Sequence, residues 1–591
     1  MGSRERCSSV AMKEVASMAD QLIDLFSIPE ASGEASAPVP CSDPVANAHE
    51  CMTAMLLAGH PVQLQFSGGK DSSCCANLLL NAAREVVLSG KTCPSIYICS
   101  ADTGVENPVV RTLADHELQK MKTFASEHKI PVEVHVGRPT LAASYAPRVI
   151  GGRALPPFPV GKRDCTTDWK IVVSQRVSRT IRAAAGGFTK PLVTVIGTRS
   201  SESAARLINT ARRGESATSL WYGPDGEARL SPILNWTTDD VWTYLGECAS
   251  GLRVSYSDFA DLIEFYSAAA GGECVVVADM RQSQSAACGA RSGCWVCGAV
   301  QNDKSVENMI ASHPARYAYL VPLLRFRNFV VDSQWDWSLR NYLGRSIDAD
   351  GCMAVKADQF SPQMCERLLR YLLTAQDRAN SLGSPVPVRA VGLRELFAID
   401  FYWSVRAWHP PFHALWVYFD HMSGNHLEAP IIESPMRPSQ VPEIGKIFVG
   451  RDWDDGSSPL QPSGLRDPMW ELHSESCGPS LRTGTKGNVF LALDEMPEFT
   501  VDEEGACMFL DFEAEEAIRK YHTQTIDWTI AASIYLRYGV VTLGRGQSSG
   551  IDDMMRRSQW LQRNQLHGLQ QAEDLRHRCV ELCATQEHLF A

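Results

Sequence analysis

Six consecutive residues, Ser67-Gly68-Gly69-Lys70-Asp71-Ser72, bring together what holding a polyphosphate requires. The glycines let the backbone come close to an anion, and Lys70 supplies a point charge. Ser67 and Ser72 supply hydroxyl donors. Before them, Val62 to Phe66 reads as a short buried strand; after them, Ser72 to Ala83 is rich in Ala, Leu and Cys and reads as a helix. A strand, a glycine turn and a helix N-terminus together make an anion site, with unpaired N–H groups and the helix dipole pointing the same way. The spacing is not that of a Walker A loop, which needs four residues between its first glycine and Gly-Lys-Ser/Thr.

Two more polar clusters fall where the pattern ends a strand: Ser100 to Pro108, containing Asp102, and Gly197 to Ser203, containing Arg199. Four cysteines, Cys274, Cys288, Cys294 and Cys297, follow with the spacing C-x13-C-x5-C-x2-C. Four thiolates so placed suit either tetrahedral zinc or an iron–sulfur cluster, and the spacing alone leaves both open. Between the later strands, Arg138 to Arg182 carries Arg138, Arg148, Arg153, Lys162, Arg163, Lys170, Arg176, Arg179 and Arg182 against Asp164 and Asp168. This basic island suits a polyanion, or else is a solvated loop and helix face.

The elements that must position these groups alternate. Strands are expected at 62–66, 95–100, 132–137 and 192–197, and helices at 72–85, 107–127 and 168–184. That is the pattern of a mainly parallel sheet with helices on both faces, where ligands sit at the carboxyl ends of the strands. Thr237 is expected to cap a helix whose first turn carries Asp239 and Asp240. Residues 10–27 read as an amphipathic helix, 27–45 as a linker, and 49–58 as a helix leading into the first strand. Beyond Ser305 helical patterns dominate, at 306–330, 361–381, 392–406, 526–538 and 551–586. Cys579 and Cys583 read as packing residues on the last helix, and Arg556, Arg557 and Arg563 as a second backbone-contact candidate. The expected division is a helix and linker at 1–47, a nucleotide domain at 48–270, a cysteine segment at 271–305 and a mainly helical region at 306–591.

At 591 residues the chain has material for about two to four domains. Its 45% hydrophobic and 21% charged content are those of an ordinary globular protein. No apolar run reaches membrane-spanning length and no signal peptide opens the chain, so a cytoplasmic protein with no membrane partner is expected. Nineteen cysteines then argue for thiol or metal chemistry over disulfides. A net charge of −12 argues against holding nucleic acid by the global field, while leaving local basic surfaces open.

The motifs, in order, resemble the phosphoadenylyl-sulfate reductase superfamily of PP-loop ATP pyrophosphatases. Ser67–Ser72, Asp102-Thr103 with Val105-Glu106-Asn107-Pro108, Arg163 to Lys170, Gly197-Thr198-Arg199 with Glu202-Ser203 and Arg206, and Pro232-Ile233 with Trp236 and Asp240-Val241-Trp242 carry the likeness. Gly293-Cys294-Trp295-Val296-Cys297-Gly298, with Asp303-Lys304-Ser305, is similar to the DndC/SspD family of DNA sulfur-modification proteins. That likeness spans about residues 60 to 345. Gly298 stands where Thr is expected and Ala101 where a second Ser is common.

The resemblance implies an adenine-nucleotide alpha-hydrolase-like fold and cleavage of ATP to AMP and pyrophosphate in DNA phosphorothioation. It implies a restriction–modification setting, with a cysteine desulfurase as sulfur donor and other subunits of a modification complex as partners. Catalysis would fall to Ser67, Lys70, Asp71, Asp102 and Arg199. ATP would be held by these with Gly68, Gly69, Ser72, Lys170 and Gly197, and Mg2+ by Asp71 or Asp102. Arg163, Lys170, Arg199 and Arg206 would touch phosphates. A 4Fe-4S cluster would sit on Cys274, Cys288, Cys294 and Cys297, with Cys165 as the alternative fourth ligand. Rival readings are a sulfonucleotide reductase, a tRNA-thiolating PP-loop enzyme, and an ATP-binding scaffold that does no chemistry.

Overall fold

In this computed structural model the described residues are 43–159, 161, 164–270, 293–348, 350–440, 446–448, 463–465, 481–483, 489–491, 495–523, 527–567, 574 and 577. The expected helix at 10–27, nearly all of the linker, Arg163, Cys274, Cys288, Cys579 and Cys583 lie outside them.

Six strands form the central sheet: β1 Val62–Phe66, β2 Ile96–Ala101, β3 Val132–Gly137, β4 Val193–Val195, β5 Trp221–Tyr222 and β6 Ala228–Leu230. Their order is β3-β2-β1-β4-β6-β5, all parallel except β5, which runs antiparallel to β6. The four expected strands are present; the short β5 and β6 carry too few residues for a periodicity to be seen. Helices flank the sheet, giving a mixed α/β domain consistent with the PP-loop fold.

β1 is buried on both faces, and its alternation shows how. Val62, Leu64 and Phe66 share one face, while Gln63, fully buried on the other, accepts a hydrogen bond from Ser178 Oγ at 2.7 Å. Ser178 belongs to helix Val172–Ala184, whose Ile181 packs with Tyr97, Cys99 and Leu192. Helix Lys70–Leu88 contributes Cys74, Cys75, Leu78 and Leu79, all buried, to the core.

After β1 the chain moves outward to β2 and β3, then returns to place β4 on the other side of β1. The reversal opens a crevice at the carboxyl ends of β1 and β4, where sheets of this kind bind ligands. The Ser67 loop and the Gly197–Arg199 loop are its two lips.

The C-terminal region is mainly helical, with helices Lys304–Ser312, Leu320–Asp332, Pro362–Ser381, Leu393–Val405, His413–Met422, Ile530–Arg537 and Ser548–Arg563 among its members. The expected helix at 306–330 is two helices, because Pro314 interrupts it. An antiparallel pair, β7 Arg340–Ile347 and β8 Cys352–Phe360, was not expected from the helical pattern. The region grips the nucleotide domain by its irregular segment. Trp403 Nε1 donates to Ile150 O at 2.7 Å and Arg406 Nη1 to Gly151 O at 2.8 Å. A Cβ on Gly152 would lie 2.0 Å from Trp408, so only glycine fits there. Trp403 and Trp408 are buried core residues. Arg556 is 1% exposed and paired with Asp552 and Asp553, both at 3.0 Å, and burial pushes Arg557 down to about 10. Of this candidate backbone contact, Arg556 is therefore a core residue and Arg557 is half-buried, because the helix carrying them packs inward.

Candidate functional site

The glycine loop is shaped by close packing. Gly68 has φ +73°, and a Cβ there would stand 2.9 Å from Ala114 Cβ. Gly69 then caps helix Lys70–Leu88 without a side-chain bond, leaving first-turn N–H groups for a ligand. Ser67 and Ser72 meet at 3.1 Å between hydroxyl oxygens, and Ser72 donates to Gly69 O at 2.9 Å. Both lips touch, since a Cβ on Gly197 would lie 3.1 Å from the backbone C and O of Asp71 and the N of Ser72.

Asp71 sits between two cations. Lys70 Nζ is 3.4 Å from Asp71 Oδ2, and Arg199 Nε is 2.5 Å from Asp71 Oδ1. Arg199 is 2% exposed, and its Nη1 also donates to Ser201 Oγ at 3.1 Å and Thr238 Oγ1 at 3.2 Å. Thr238 opens the helix that Thr237 caps in a full capping box with Asp240, so the expected cap also serves the site. Tyr266, from helix Ala260–Ala269, is a site residue the sequence reading missed. Its hydroxyl accepts from Lys70 N at 3.4 Å, and Lys70 Nζ lies 5.1 Å from its ring centroid. A residue 196 positions away has no local signal that could have revealed it.

The loop after β2 carries the other acidic candidate. Asp102 accepts from Gly104 N at 3.0 Å and from the exposed Arg138 at 2.9 Å. With Asp102, Glu106, Arg111 and Arg138 it lines a cavity of ≈ 590 Å³, closed on the far side by Arg389 and Arg394 from the helical region. Burial, with Asp102 beside it, pushes Glu106 up to about 7, against the pull of Arg111 and Lys170. Sequence reasoning missed Arg389 and Arg394 as well.

The cysteine turn is attached to this same loop. Glu106 and Cys294 form a bridge, Trp295 N donates to Val105 O at 3.0 Å, and Thr103 Oγ1 lies 3.7 Å from Cys294 Sγ. Although Cys294 is only half-buried as a residue, its enclosed thiol is pushed up to about 12 by burial, with Lys170 and Thr103 acting in the opposite sense. Cys165, in the turn Asp164–Thr166, feels the charge of Cys297. Arg327, 1% exposed on helix Leu320–Asp332, holds the turn from beneath: it donates to Cys297 O at 2.9 Å, to Gln301 O at 2.7 Å, and to Val300 O. A Cβ on Gly298 would lie 2.3 Å from Pro157 O, which explains why glycine stands there instead of Thr. Among the described residues Cys165, Cys294 and Cys297 do not converge as a three-ligand set, so a cluster needs Cys274 or Cys288. The donor set, soft thiols on a glycine-flanked turn, fits iron–sulfur chemistry.

Other expected phosphate ligands are dispersed. Lys170 is exposed, close enough to Glu106 and Cys294 to affect both. Arg206 pairs with Glu202 at 3.0 Å on the helix Ala204–Arg213. Within the basic island, Arg148 pairs with Asp168 at 2.9 Å, Arg153 donates to Ala142 O, and Arg182 pairs with Glu227. Part of that island is thus internal structure, because Asp168 and Ala142 O from within it and Glu227 from beyond it take up these arginines.

No curated protein matches this chain. A solved structure of Candida glabrata FMN adenylyltransferase, in complex with FMN and the ATP analog AMPCPP, is 13% identical to it with a TM-score of 0.19. That match covers 34% of this chain and 55% of the yeast protein's. Residues 61–250 match the model of the phosphoadenosine phosphosulfate reductase domain, a span that contains the loops at the ends of β1, β2 and β4.

Proposed function

We propose that this chain is the ATP pyrophosphatase subunit of a cytoplasmic DNA phosphorothioation system. The observation that carries the reading is the pairing of two buried cations, Lys70 and Arg199, on Asp71 at the N-terminus of helix Lys70–Leu88. Asp71 is shared by both and leaves one positive charge over; with ATP, phosphate oxygens take its place and free it. The amides after Gly68 and the hydroxyls of Ser67 and Ser72 cradle the pyrophosphate, and Lys70 and Arg199 stabilise charge as it leaves. Mg2+ held by Asp71 or Asp102 would offset charge on the same group.

A non-bridging oxygen of a DNA phosphodiester attacks the α-phosphorus of ATP, and the bond to pyrophosphate breaks. The terminal sulfur of a cysteine desulfurase persulfide then attacks the DNA phosphorus, and AMP leaves with the former DNA oxygen. A second thiol cleaves the remaining S–S bond, forming a disulfide and leaving sulfur on the DNA. The phosphodiester would enter through the cavity lined by Arg111, Arg138, Arg389 and Arg394. A 4Fe-4S cluster on Cys274, Cys288, Cys294 and Cys297 would supply electron or sulfide chemistry beside that cavity, and Arg327 would hold the turn that presents it.

The domain match equally favours a second reading, reduction of a sulfonucleotide. Mass spectrometry for phosphorothioate dinucleotides in cells carrying the chain or its Ser67→Ala variant separates the two. The expected result is modified dinucleotides with the former and none with the latter. Pyrophosphate release indifferent to DNA, together with reduction of phosphoadenylyl sulfate, would overturn the reading.

A further inference from the structure

Away from the nucleotide edge, three imidazoles and a carboxylate gather among the C-terminal helices. His409 and His413 come from the run His409-Pro410-Pro411-Phe412-His413, and Glu366 from the start of helix Pro362–Ser381. One ligand-type atom from each of Glu366, His409 and His413 lies within 4.8 Å of the other two, and no other three such side chains converge so closely among the described residues.

The surrounding hydrogen bonds occupy one side of each group. His409 Nε2 is 3.1 Å from Pro362 O, a contact only an N–H can satisfy, so Nδ1 carries the lone pair. Glu366 Oε1 accepts from Arg370 Nε at 3.0 Å, which leaves Oε2. Glu366 Oε2 is 3.1 Å from the buried His413 Nε2, so the carboxylate and this imidazole nitrogen face each other. His413 Nδ1 in turn meets His522 Nε2 at 2.8 Å, the outer contact by which metal-bound imidazoles are oriented.

Shape and charge agree. His409 and His413 are each 8% exposed and stack with ring centroids 4.5 Å apart. His522 stacks on His413 in turn, with ring centroids 5.1 Å apart, and Glu366 supplies the carboxylate that a cation needs. Phe412, with φ +64°, adopts the left-handed conformation that turns the chain between the two histidines. A bulky residue there is strained, and Phe412 is held in place by stacking on Phe509.

We infer that Glu366, His409 and His413 bind one zinc-class divalent transition-metal ion, with His522 as the outer partner of His413. Two imidazole nitrogens and one carboxylate oxygen form a donor set common for zinc, and a water completes it. The ion would brace helix Pro362–Ser381 against helix His413–Met422, in the region that also supplies Arg389 and Arg394.

The full-length chain, dialysed free of loose metal, is assayed for zinc by mass spectrometry and by X-ray absorption at the zinc edge. The expected result is one zinc per chain with nitrogen and oxygen neighbours at about 2.0–2.1 Å. The zinc should persist in the Cys294→Ser/Cys297→Ser double variant and fall at least tenfold in His413→Gln or, should that variant not fold, in Glu366→Gln. Three results would each overturn the inference: a shell of sulfur at about 2.3 Å alone, no bound transition metal, or unchanged zinc in the folded histidine or glutamate variant.

Discussion

Asp71 is the side chain on which the nucleotide site turns, since it is shared by Lys70 and the nearly inaccessible Arg199. Removing its charge strands two cations in a poorly solvated place. Asp71→Asn should therefore lower unfolding free energy by about 3 kcal/mol, read by urea denaturation, and abolish pyrophosphate release. Gly197→Ala tests the other lip. A new Cβ would stand 3.1 Å from the Asp71 and Ser72 backbone, and the helix N-terminus must shift by a few tenths of an ångström. ATP affinity, read by calorimetry, should drop at least tenfold while the melting temperature moves by only a few degrees. These glycines and the serines between them were legible as a loop in the sequence. Tyr266 and Thr238 were not, because they reach the loop from helices whose own patterns speak only of packing.

Two elements carry predictions of their own. Helix Leu320–Asp332 exists for the cysteine turn as much as for the core, because Arg327 satisfies three carbonyls that no other described donor reaches. Arg327→Met keeps the volume and takes the charged donor away from all three carbonyls, at about 0.5–1.5 kcal/mol each. Iron retained after purification should fall more than activity of any site away from the turn. Helix Leu393–Val405 holds Asp400, fully enclosed, which accepts from Tyr535 Oη at 2.7 Å and Ala414 N at 2.6 Å. Burial pushes this carboxyl up to about 6 despite both hydrogen bonds. The folded protein thus holds a proton that the unfolded chain, near 3.8, gives up. Stability from this group is present below pH 4 and lost as pH rises through 6, about 3 kcal/mol in all. Against pH, denaturation of Asp400→Asn should lack that decline, so the variant gains on the parent between pH 4 and 6.

At the scale of the whole molecule, the cavity beside Asp102 belongs to two distant stretches of chain. Asp102, Glu106 and Arg138 form one wall, and Arg389 and Arg394 the other. Substituting Arg389→Ala and Arg394→Ala together should leave ATP affinity within twofold. It should also weaken DNA binding and reduce the salt slope of that binding by about 2, as two lost phosphate contacts require. An unchanged slope would mean that nucleic acid does not enter here. The basic island behaves otherwise at this scale, because Arg148 and Arg182 are already matched by carboxylates within the fold.

The sequence by itself determined the four strands β1 to β4, the strand-end loops and the cysteine turn, because hydrophobic alternation, glycine turns and thiol spacing are local and leave their mark within a few residues. It also read correctly that Thr237 caps a helix. Tertiary structure decided what those pieces face. Arg199 turns onto Asp71 across the reversal between β1 and β4, and Arg556 is buried when its pattern read as a surface. Arg389 and Arg394 close a cavity from hundreds of residues away. His409 and His413 meet Glu366 because Phe412 bends the chain between them. Pairings of that kind depend on which faces pack together, and packing is settled by the burial of the whole chain rather than by any short stretch of it.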